Sequence, residues 1–348
     1  MKVMFRINTC KGLLLLIMKL SIKLKLINYK ILGHKHVWTF LVTFLFLMPY
    51  VSGNCEATTC PQDSGSVTAI ELGAPQDSSK IDRRFKYEAR EEGNPFAITP
   101  HRPIYFIPID YNSSPNNAAA GQIGFNHSLN AVEVKFQLSF KLLVWKGVFS
   151  DHVNFYVAYT QQSWWQVYNG SISSPFRETN YEPEAFFMIH TNLNVLGAKI
   201  RLINIGIDHQ SNGRDVPASR SWNRLFTQIV FDVHNQLFIE FRPWLRLPEK
   251  EKTYPLDPTG DDNPDITDYM GYGHLRGVMV FGKHTVTFLF RDNLKSRQRA
   301  ALQLDWSFPL VRKIRGYIQF FTGYGESLID YNHNSTRIGI GVELTNWL

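Results

Sequence analysis

The feature that most constrains this chain is an alternation of apolar and polar side chains with a period of two. In residues 132–144 the apolar series occupies the even positions, which are Val132, Val134, Phe136, Leu138, Phe140, Leu142 and Val144. The odd positions of the same run include Glu133, Lys135, Gln137, Ser139 and Lys141. This period places the two series on opposite faces of a β-strand. The run is roughly twice as long as the strands usual in soluble sheets, so we predict a long two-faced strand.

The alternation returns along most of the chain, and no stretch shows a convincing amphipathic helix. The further segments are 153–161, 184–190, 200–209, 221–231, 236–241, 285–290, 301–306, 317–322 and 337–344. The roughly 264 residues after residue 84 would hold about a dozen strands at about 20 residues per strand and turn. We therefore predict an all-β fold, a transmembrane antiparallel up-and-down β-barrel of about 12 strands. A secreted soluble β-sandwich is the alternative, because its core would produce the same alternation.

Residues 1–53 have the features of a secretory signal peptide. They contain eight Lys or Arg residues and no acidic residue, and they end in the apolar segment VWTFLVTFLFLMPYVSG. The apolar run is shorter than the ~20 residues that a membrane helix needs, and Val51 and Gly53 suit a cleavage site. We predict a leader at 1–53, a polar segment at 54–99 with order starting near Phe85, and the barrel domain at 100–348. A disulfide between Cys55 and Cys60 stays an open alternative.

The net charge of +7 comes from this leader. The chain has 37 basic and 30 acidic residues, and without the eight basic residues of the leader 29 basic residues remain against 30 acidic ones. A nearly neutral mature chain lacks the basic surface that nucleic-acid binding requires, so this class of function is disfavoured.

The stretch IGIDHQSNGRDVPASRSWNRL, residues 205–225, carries a histidine and a serine at the end of an apolar alternation. On a strand, His209 and Ser211 share the face that the preceding isoleucines occupy. Turn-forming residues follow at 212–219. A hairpin centred on Val216 would place Ser211 opposite Ser221 and His209 opposite Asn223.

This register brings a base, a nucleophile and an orienting group onto one face. The β-carbons of His209 and Ser211 would be about 7 Å apart, and Asn223 would lie within about 5.5 Å of His209 by the same measure. Such geometry is typical of a hydrolytic triad. Each residue alone is more often an ordinary polar side chain on a strand. Their combination indicates an ester or amide hydrolase whose site faces an apolar surrounding.

Four blocks of sequence carry a resemblance to a known family. They are YTQQSWWQVYNGSISSPFRETNYEPE (159–184), HQSNGRDVPASRSWNRL (209–225), DDNPDITDYMGY (261–272) and GYGESLIDYNHNSTRIGIG (323–341). Together they resemble the outer membrane phospholipase A family. The resemblance implies a twelve-stranded barrel with a Ser-His-Asn triad on its lipid-facing wall, activated by calcium-dependent homodimerisation. It assigns His209 as the base, Ser211 as the nucleophile and Asn223 as the residue that orients the base.

The same resemblance implies a calcium site shared by two subunits. Its ligands would be the backbone carbonyl of Arg214 and the hydroxyl of Ser219 from one subunit, with the backbone carbonyl of Ser173 from the other. Asp262 matches a further calcium-linked position. Oxygen ligands of this kind suit a hard cation. Calcium would add positive charge at the oxyanion, with the backbone N–H of Asn212 or Gly213 as a second donor. The family's dimer-contact region corresponds to Gln161 and the Trp164–Trp165 pair, although tryptophans also form the aromatic girdle of any barrel.

The expected function is hydrolysis of acyl ester bonds in the outer membrane. The substrates would be glycerophospholipids, cleaved at the sn-1 and sn-2 positions, and lysophospholipids. A pore or transport barrel without hydrolase activity is one rival, and a soluble ligand-binding β-protein is another. Inward-facing Lys135, Lys141, Arg201 and Glu343 fit either a lumen filled with ion pairs or a channel.

Overall fold

A computed structural model of the chain describes residues 79–91, 97–311 and 314–345. The predicted leader, Cys55, Cys60 and most of the 54–99 segment lie outside these residues. Within the described ranges, no helix has the length and apolar character needed to cross a membrane.

Thirteen strands and three short helices make up the described part of the chain. The strands are β1 Thr99–Pro100, β2 Ile104–Asn112, β3 Val132–Trp145, β4 Val153–Trp165, β5 Phe176–Val195, β6 Ala198–Ser211, β7 Ser221–His234, β8 Leu237–Leu247, β9 Gly273–Phe281, β10 His284–Asp292, β11 Ala300–Val311, β12 Ile314–Tyr324 and β13 Asn334–Thr345. The α-helices are α1 Lys80–Glu91, α2 Asn117–Gln122 and α3 Thr267–Met270, and a single 3₁₀ turn spans Gly170–Ile172.

The strands close into an antiparallel barrel. Each of β2 to β13 pairs with its neighbours in sequence, and β13 pairs with β2 to complete the ring. The short β1 adds to β3 beside this ring. The predicted all-β barrel of about 12 strands is therefore confirmed.

Two strands of the ring, β2 and β9, had no predicted counterpart. In β2 the pairing with β3 shifts between Ile107 and Asp110, and Pro108 lies at the shift, so the two-residue period is broken. In β9, Gly273 and Gly277 interrupt the apolar series. These two strands form through backbone hydrogen bonds to their neighbours, although their side chains do not alternate regularly.

The N-terminal helix α1 contradicts the expectation that helices are absent and that order starts near Phe85. Its first residue is Lys80, and Ile81 packs in the large core cluster with Phe85 against it. Glu88 forms an ion pair with Lys141 of β3 at 3.0 Å. The helix escaped prediction because its buried face includes charged side chains whose partners lie on distant strands.

The barrel wall has an apolar outer face and a charged lumen. Lys135 of β3 points inward and forms an ion pair with Glu326 at 3.0 Å. Arg315 and Glu343 face each other at 3.4 Å, and Arg201 pairs with Asp82 of α1. The predicted inward-facing charges are thus all paired, with a neighbouring strand, with α1 or with the segment between β12 and β13.

Candidate active site

The β6–β7 hairpin has the register that the sequence predicts. Ser211 pairs with Ser221 and His209 with Asn223, and the pairing continues to Ile203 opposite Ile229. Hydrogen bonds of the antiparallel ladder hold these positions, so the two strands place His209 and Asn223 side by side.

The odd-numbered side chains of β6 point out of the barrel. Ile205 and Ile207 are 44% and 55% exposed, whereas Asn204 and Asp208 are 2% and 4% exposed. His209 and Ser211 follow the outward phase and are half-buried. The predicted triad therefore lies on the outer wall, next to exposed aliphatic side chains that include Ile207 and its partner Leu225.

The imidazole of His209 is oriented by Asn223. The Nδ1 atom of His209 lies 2.8 Å from Oδ1 of Asn223. Since a carbonyl oxygen only accepts, Nδ1 carries the proton and Nε2 is left as the basic nitrogen. Within the described residues no hydrogen bond joins His209 to Ser211; the two are neighbours on one face, about 7 Å apart by β-carbon as for any i, i+2 pair. Nucleophile and base commonly close this gap only when substrate is bound.

A fourth residue, Glu249, contacts this group. The Nδ2 atom of Asn223 donates to Oε1 of Glu249 at 3.0 Å. Glu249 lies two residues after the end of β8, where burial and the charge of Asp261 raise the pKa of its carboxyl group. The sequence contains no signal for this contact, because it joins a strand to a loop 26 residues away.

The two candidate oxyanion donors, the backbone N–H groups of Asn212 and Gly213 in the β6–β7 loop, differ in whether they already donate a hydrogen bond. The backbone N–H of Asn212 donates to the carbonyl of Arg220 at 3.0 Å, and its side-chain amide donates to the carbonyl of Ala218 at 2.9 Å. Asn212 is therefore committed to holding the loop. Gly213 adopts a left-handed conformation with φ 63°, and no described hydrogen bond uses its N–H. Of these two backbone N–H groups, that of Gly213 remains available to donate to an oxyanion.

Two of the predicted calcium ligands lie together. The hydroxyl of Ser219 donates to Oδ2 of Asp262, and the ammonium of Lys252 lies 2.6 Å from Oδ1 of the same carboxylate. Arg214 is in the same loop as Ser219, and its guanidinium donates to the carbonyl of Arg177 at 2.7 Å. Ser173 directly follows the 3₁₀ turn between β4 and β5, and no hydrogen bond in the described ranges joins it to this pair.

The expectation that Trp164 and Trp165 both lie at an outer surface is wrong for Trp164. Trp164 is fully buried in the lumen, where its Nε1 donates to Glu326 at 3.1 Å and Lys135 lies over its ring. It belongs neither to an outer aromatic girdle nor to an outer contact surface. Trp165 faces outward and stacks on Phe176 with ring centroids 5.2 Å apart.

Comparison with known proteins identifies relatives of this chain. Phospholipase A1 of Escherichia coli K12 is 40% identical over 257 residues, which are 74% of this chain and 84% of that protein. Phospholipase A1 of Salmonella typhimurium is 39% identical over the same shares. The outer membrane phospholipase of Salmonella typhi, a dimer with bound calcium, superimposes with a TM-score of 0.68 at 37% identity over 75% of this chain and 97% of that one. The family model described as phospholipase A1 matches residues 81–344, and the chain belongs to the phospholipase A1 family.

Proposed function

We propose that this protein is an outer-membrane phospholipase A that cleaves the acyl ester bonds of glycerophospholipids, at sn-1 and sn-2, and of lysophospholipids. The observation that carries the proposal is the outward position of His209, Ser211 and Asn223 beside exposed aliphatic side chains. Acyl chains of a membrane lipid lie along such a wall, so an ester bond reaches the site without leaving its apolar surrounding.

The chemistry follows from the protonation of His209. Nε2 accepts the proton of the Ser211 hydroxyl while Oγ attacks the ester carbonyl carbon, giving a tetrahedral intermediate. The imidazolium then returns the proton to the leaving alkoxide of the glycerol moiety, and the acyl group stays on Ser211. Water, deprotonated by the same nitrogen, cleaves this acyl-enzyme and releases the fatty acid.

The developing oxyanion needs donors. The N–H of Gly213, two residues after the nucleophile, is available for this role. Asn223 is neutral and stabilises an imidazolium less than a carboxylate would, so a further positive charge near the oxyanion is valuable.

A calcium site fits the residues beside the triad. Hydroxyl, carboxylate and carbonyl oxygens are the ligands that calcium prefers, and Ser219, Asp262 and Arg214 offer one of each. The Asp262 carboxylate already holds a cation in this structure, the Lys252 ammonium, so the position accommodates positive charge. Calcium bound there would supply positive charge at the oxyanion.

The fourth ligand would come from a second copy of the chain, as the backbone carbonyl of Ser173 of the partner subunit. The Salmonella typhi relative is a dimer with bound calcium. A shared site would make dimerisation a condition for full activity, because one subunit alone leaves the ligand set incomplete.

The rival function as a pore is disfavoured by the lumen. Arg242 bridges Glu184 and Asp208 at 2.8 and 2.9 Å, and Arg102 pairs with Glu182 at 2.8 Å. A cavity lined in part by Arg102, Glu182 and Arg242 has a volume of about 170 Å³. These paired charged side chains project into the lumen, where they obstruct the wide passage that a pore needs.

The proposal is tested by fatty-acid release from mixed phospholipid micelles. We expect release by the wild type with calcium, a large loss with chelator, and loss of release in Ser211→Ala. The matched control is Ser221→Ala, which removes the hydroxyl directly opposite and should stay active. Full activity of Ser211→Ala would overturn the triad. Ion conductance in planar bilayers without any release by the wild type would favour the pore.

A further inference from the structure

We propose that Glu249 is a positioning residue of this site, acting through Asn223 on His209; the proposal rests on the hydrolase function proposed above. Its carboxylate accepts a hydrogen bond from Nδ2 of Asn223, whose Oδ1 in turn lies against Nδ1 of His209. The proposed chain of contacts therefore has four members, Ser211, His209, Asn223 and Glu249.

The carboxylate decides which way the Asn223 amide faces. An amide can rotate by half a turn and exchange its oxygen and nitrogen at little steric cost. An ionised carboxylate only accepts hydrogen bonds, so the rotated amide would place Oδ1 against an oxygen of Glu249. Two acceptors in contact repel each other, and the observed orientation is the one in which both ends of the amide are satisfied.

The orientation of the amide decides the tautomer of His209. With Oδ1 toward the ring, the proton lies on Nδ1 and Nε2 is basic. With Nδ2 toward the ring, Nδ1 would have to accept, the proton would move to Nε2, and the ring could no longer take the serine proton. Loss of the correct tautomer in a triad lowers the rate by up to about 10⁴-fold.

Glu249 also supplies the charge that Asn223 lacks. A carboxylate in direct contact with a triad histidine stabilises the imidazolium formed during the reaction. Here the amide separates the carboxylate from the ring, and the charge acts through a chain of two hydrogen bonds. The arrangement combines a neutral orienting group with an anion behind it.

Hydrogen bonds hold the loop that carries Glu249 in place. They support a defined position for Glu249 and for its contact with Asn223. Arg246 holds Asp261 through two contacts of 2.6 Å, and the N–H of Asp261 donates to the carbonyl of Lys250 at 2.8 Å. Gly260 has φ 95°, and a β-carbon there would come within 2.7 Å of the same carbonyl. These contacts fix the backbone next to Glu249 against the far end of its loop.

The first test compares substitutions of Glu249 in full-length protein assayed with calcium. We expect Glu249→Ala to lower kcat by about tenfold to a hundredfold, the range for a lost hydrogen bond to a charged group. Glu249→Gln keeps an acceptor and should lose only about threefold to tenfold, since one charge is removed. KM should change little because the proposed action of Glu249 is on Asn223 and not on the substrate. The matched control is Glu251→Gln, which removes the same charge from an exposed position of the same loop and should behave as the wild type.

The second test exchanges the roles of the two residues. Asn223→Asp alone places two carboxylates in contact and should be strongly impaired. Adding Glu249→Gln gives the new carboxylate an amide donor, so the double variant should be at least about tenfold more active than Asn223→Asp, the value of one charged hydrogen bond. The same Glu249→Gln change would then lower activity in one background and raise it in the other, which a merely structural role does not produce.

The inference is overturned if Glu249→Ala matches Glu251→Gln in kcat, or if Glu249→Gln has the same effect in both backgrounds. Far-UV circular dichroism in detergent checks that each variant forms the barrel. An inactive wild type, or an active Ser211→Ala variant, would instead overturn the hydrolase proposal, so the two failures are distinguishable.

Discussion

Asn223 stands directly opposite His209 in the β6–β7 ladder, and its Oδ1 lies 2.8 Å from Nδ1 of the imidazole. Because the two residues are paired in the strand ladder, the backbone of β6 and β7 sets the spacing between the imidazole and the amide.

Removal of this contact should lower activity without unfolding the barrel. In Asn223→Ala the imidazole loses its acceptor, and we expect kcat to fall by about tenfold to a hundredfold, as for a lost hydrogen bond to a charged group. Fatty-acid release at saturating lipid measures the effect. Asn204→Ala, on the lumen face of the neighbouring strand, is the control; equal losses in both variants would contradict a specific role for Asn223.

The left-handed conformation of Gly213 should be required for catalysis. A β-carbon there would lie 3.1 Å from Cε2 of Tyr181, and the conformation itself costs a non-glycine residue about 1–2 kcal/mol. We expect Gly213→Ala to shift the peptide that offers the oxyanion donor and to reduce kcat by about tenfold or more.

Gly197→Ala is the matched control for that substitution. Gly197 has φ 88° in the β5–β6 turn, and a β-carbon there meets nothing within 4 Å. The variant carries similar backbone strain and should keep wild-type activity. Unchanged kcat in Gly213→Ala would argue against the oxyanion role.

Lys252 should compete with calcium for the carboxylate of Asp262. Its ammonium lies 2.6 Å from Oδ1, so calcium must displace it to bind this oxygen. We expect Lys252→Met to tighten calcium binding by about threefold to tenfold, the contribution of a partly screened charge pair, and Asp262→Asn to weaken it. Calorimetric titration of calcium into the detergent-solubilised protein measures this independently of activity.

The control for Lys252→Met is Lys250→Met, which removes the same charge from an exposed position two residues earlier. A purely long-range effect of loop charge would tighten binding equally in both variants. That result would contradict direct competition at Asp262.

The attachment of α1 should depend on pH through Glu88. Burial opposes ionisation of this group, but the charges of Lys141 and Arg84 outweigh it and lower its pKa from 4.5 to about 2. A lowered carboxyl pKa stabilises the folded contact above about pH 4.5, and this stabilisation is lost as the pH falls from about 4.5 towards 2. Amide hydrogen exchange of residues 80–91, corrected for intrinsic rates, should rise over that window. Glu88→Gln should remove the dependence; an unchanged profile in this variant would contradict it.

Much of the barrel and the centre of the site could be predicted from the sequence alone. The period of two fixes which face each side chain of a strand occupies, and the turn residues around Val216 fix the register of the hairpin. Both signals are local, so the outward position of His209 and Ser211 and the pairing with Asn223 followed without coordinates. Strands β2 and β9 were not predicted, because a bulge in β2 and glycines in β9 interrupt the two-residue alternation.

The tertiary structure alone decided which charged groups pair with one another. Glu249 and Lys252, both in the loop after β8, reach Asn223 and Asp262, and Glu88 of α1 reaches Lys141 in the lumen. The side chain of Trp164 lies in the lumen rather than on the outer surface. A sequence pattern records only the side on which a residue lies along its own strand. The partner of a buried or half-buried charge depends on how distant segments fold around the barrel, because a desolvated charge is stabilised by whichever opposite charge or donor the closed ring brings within reach.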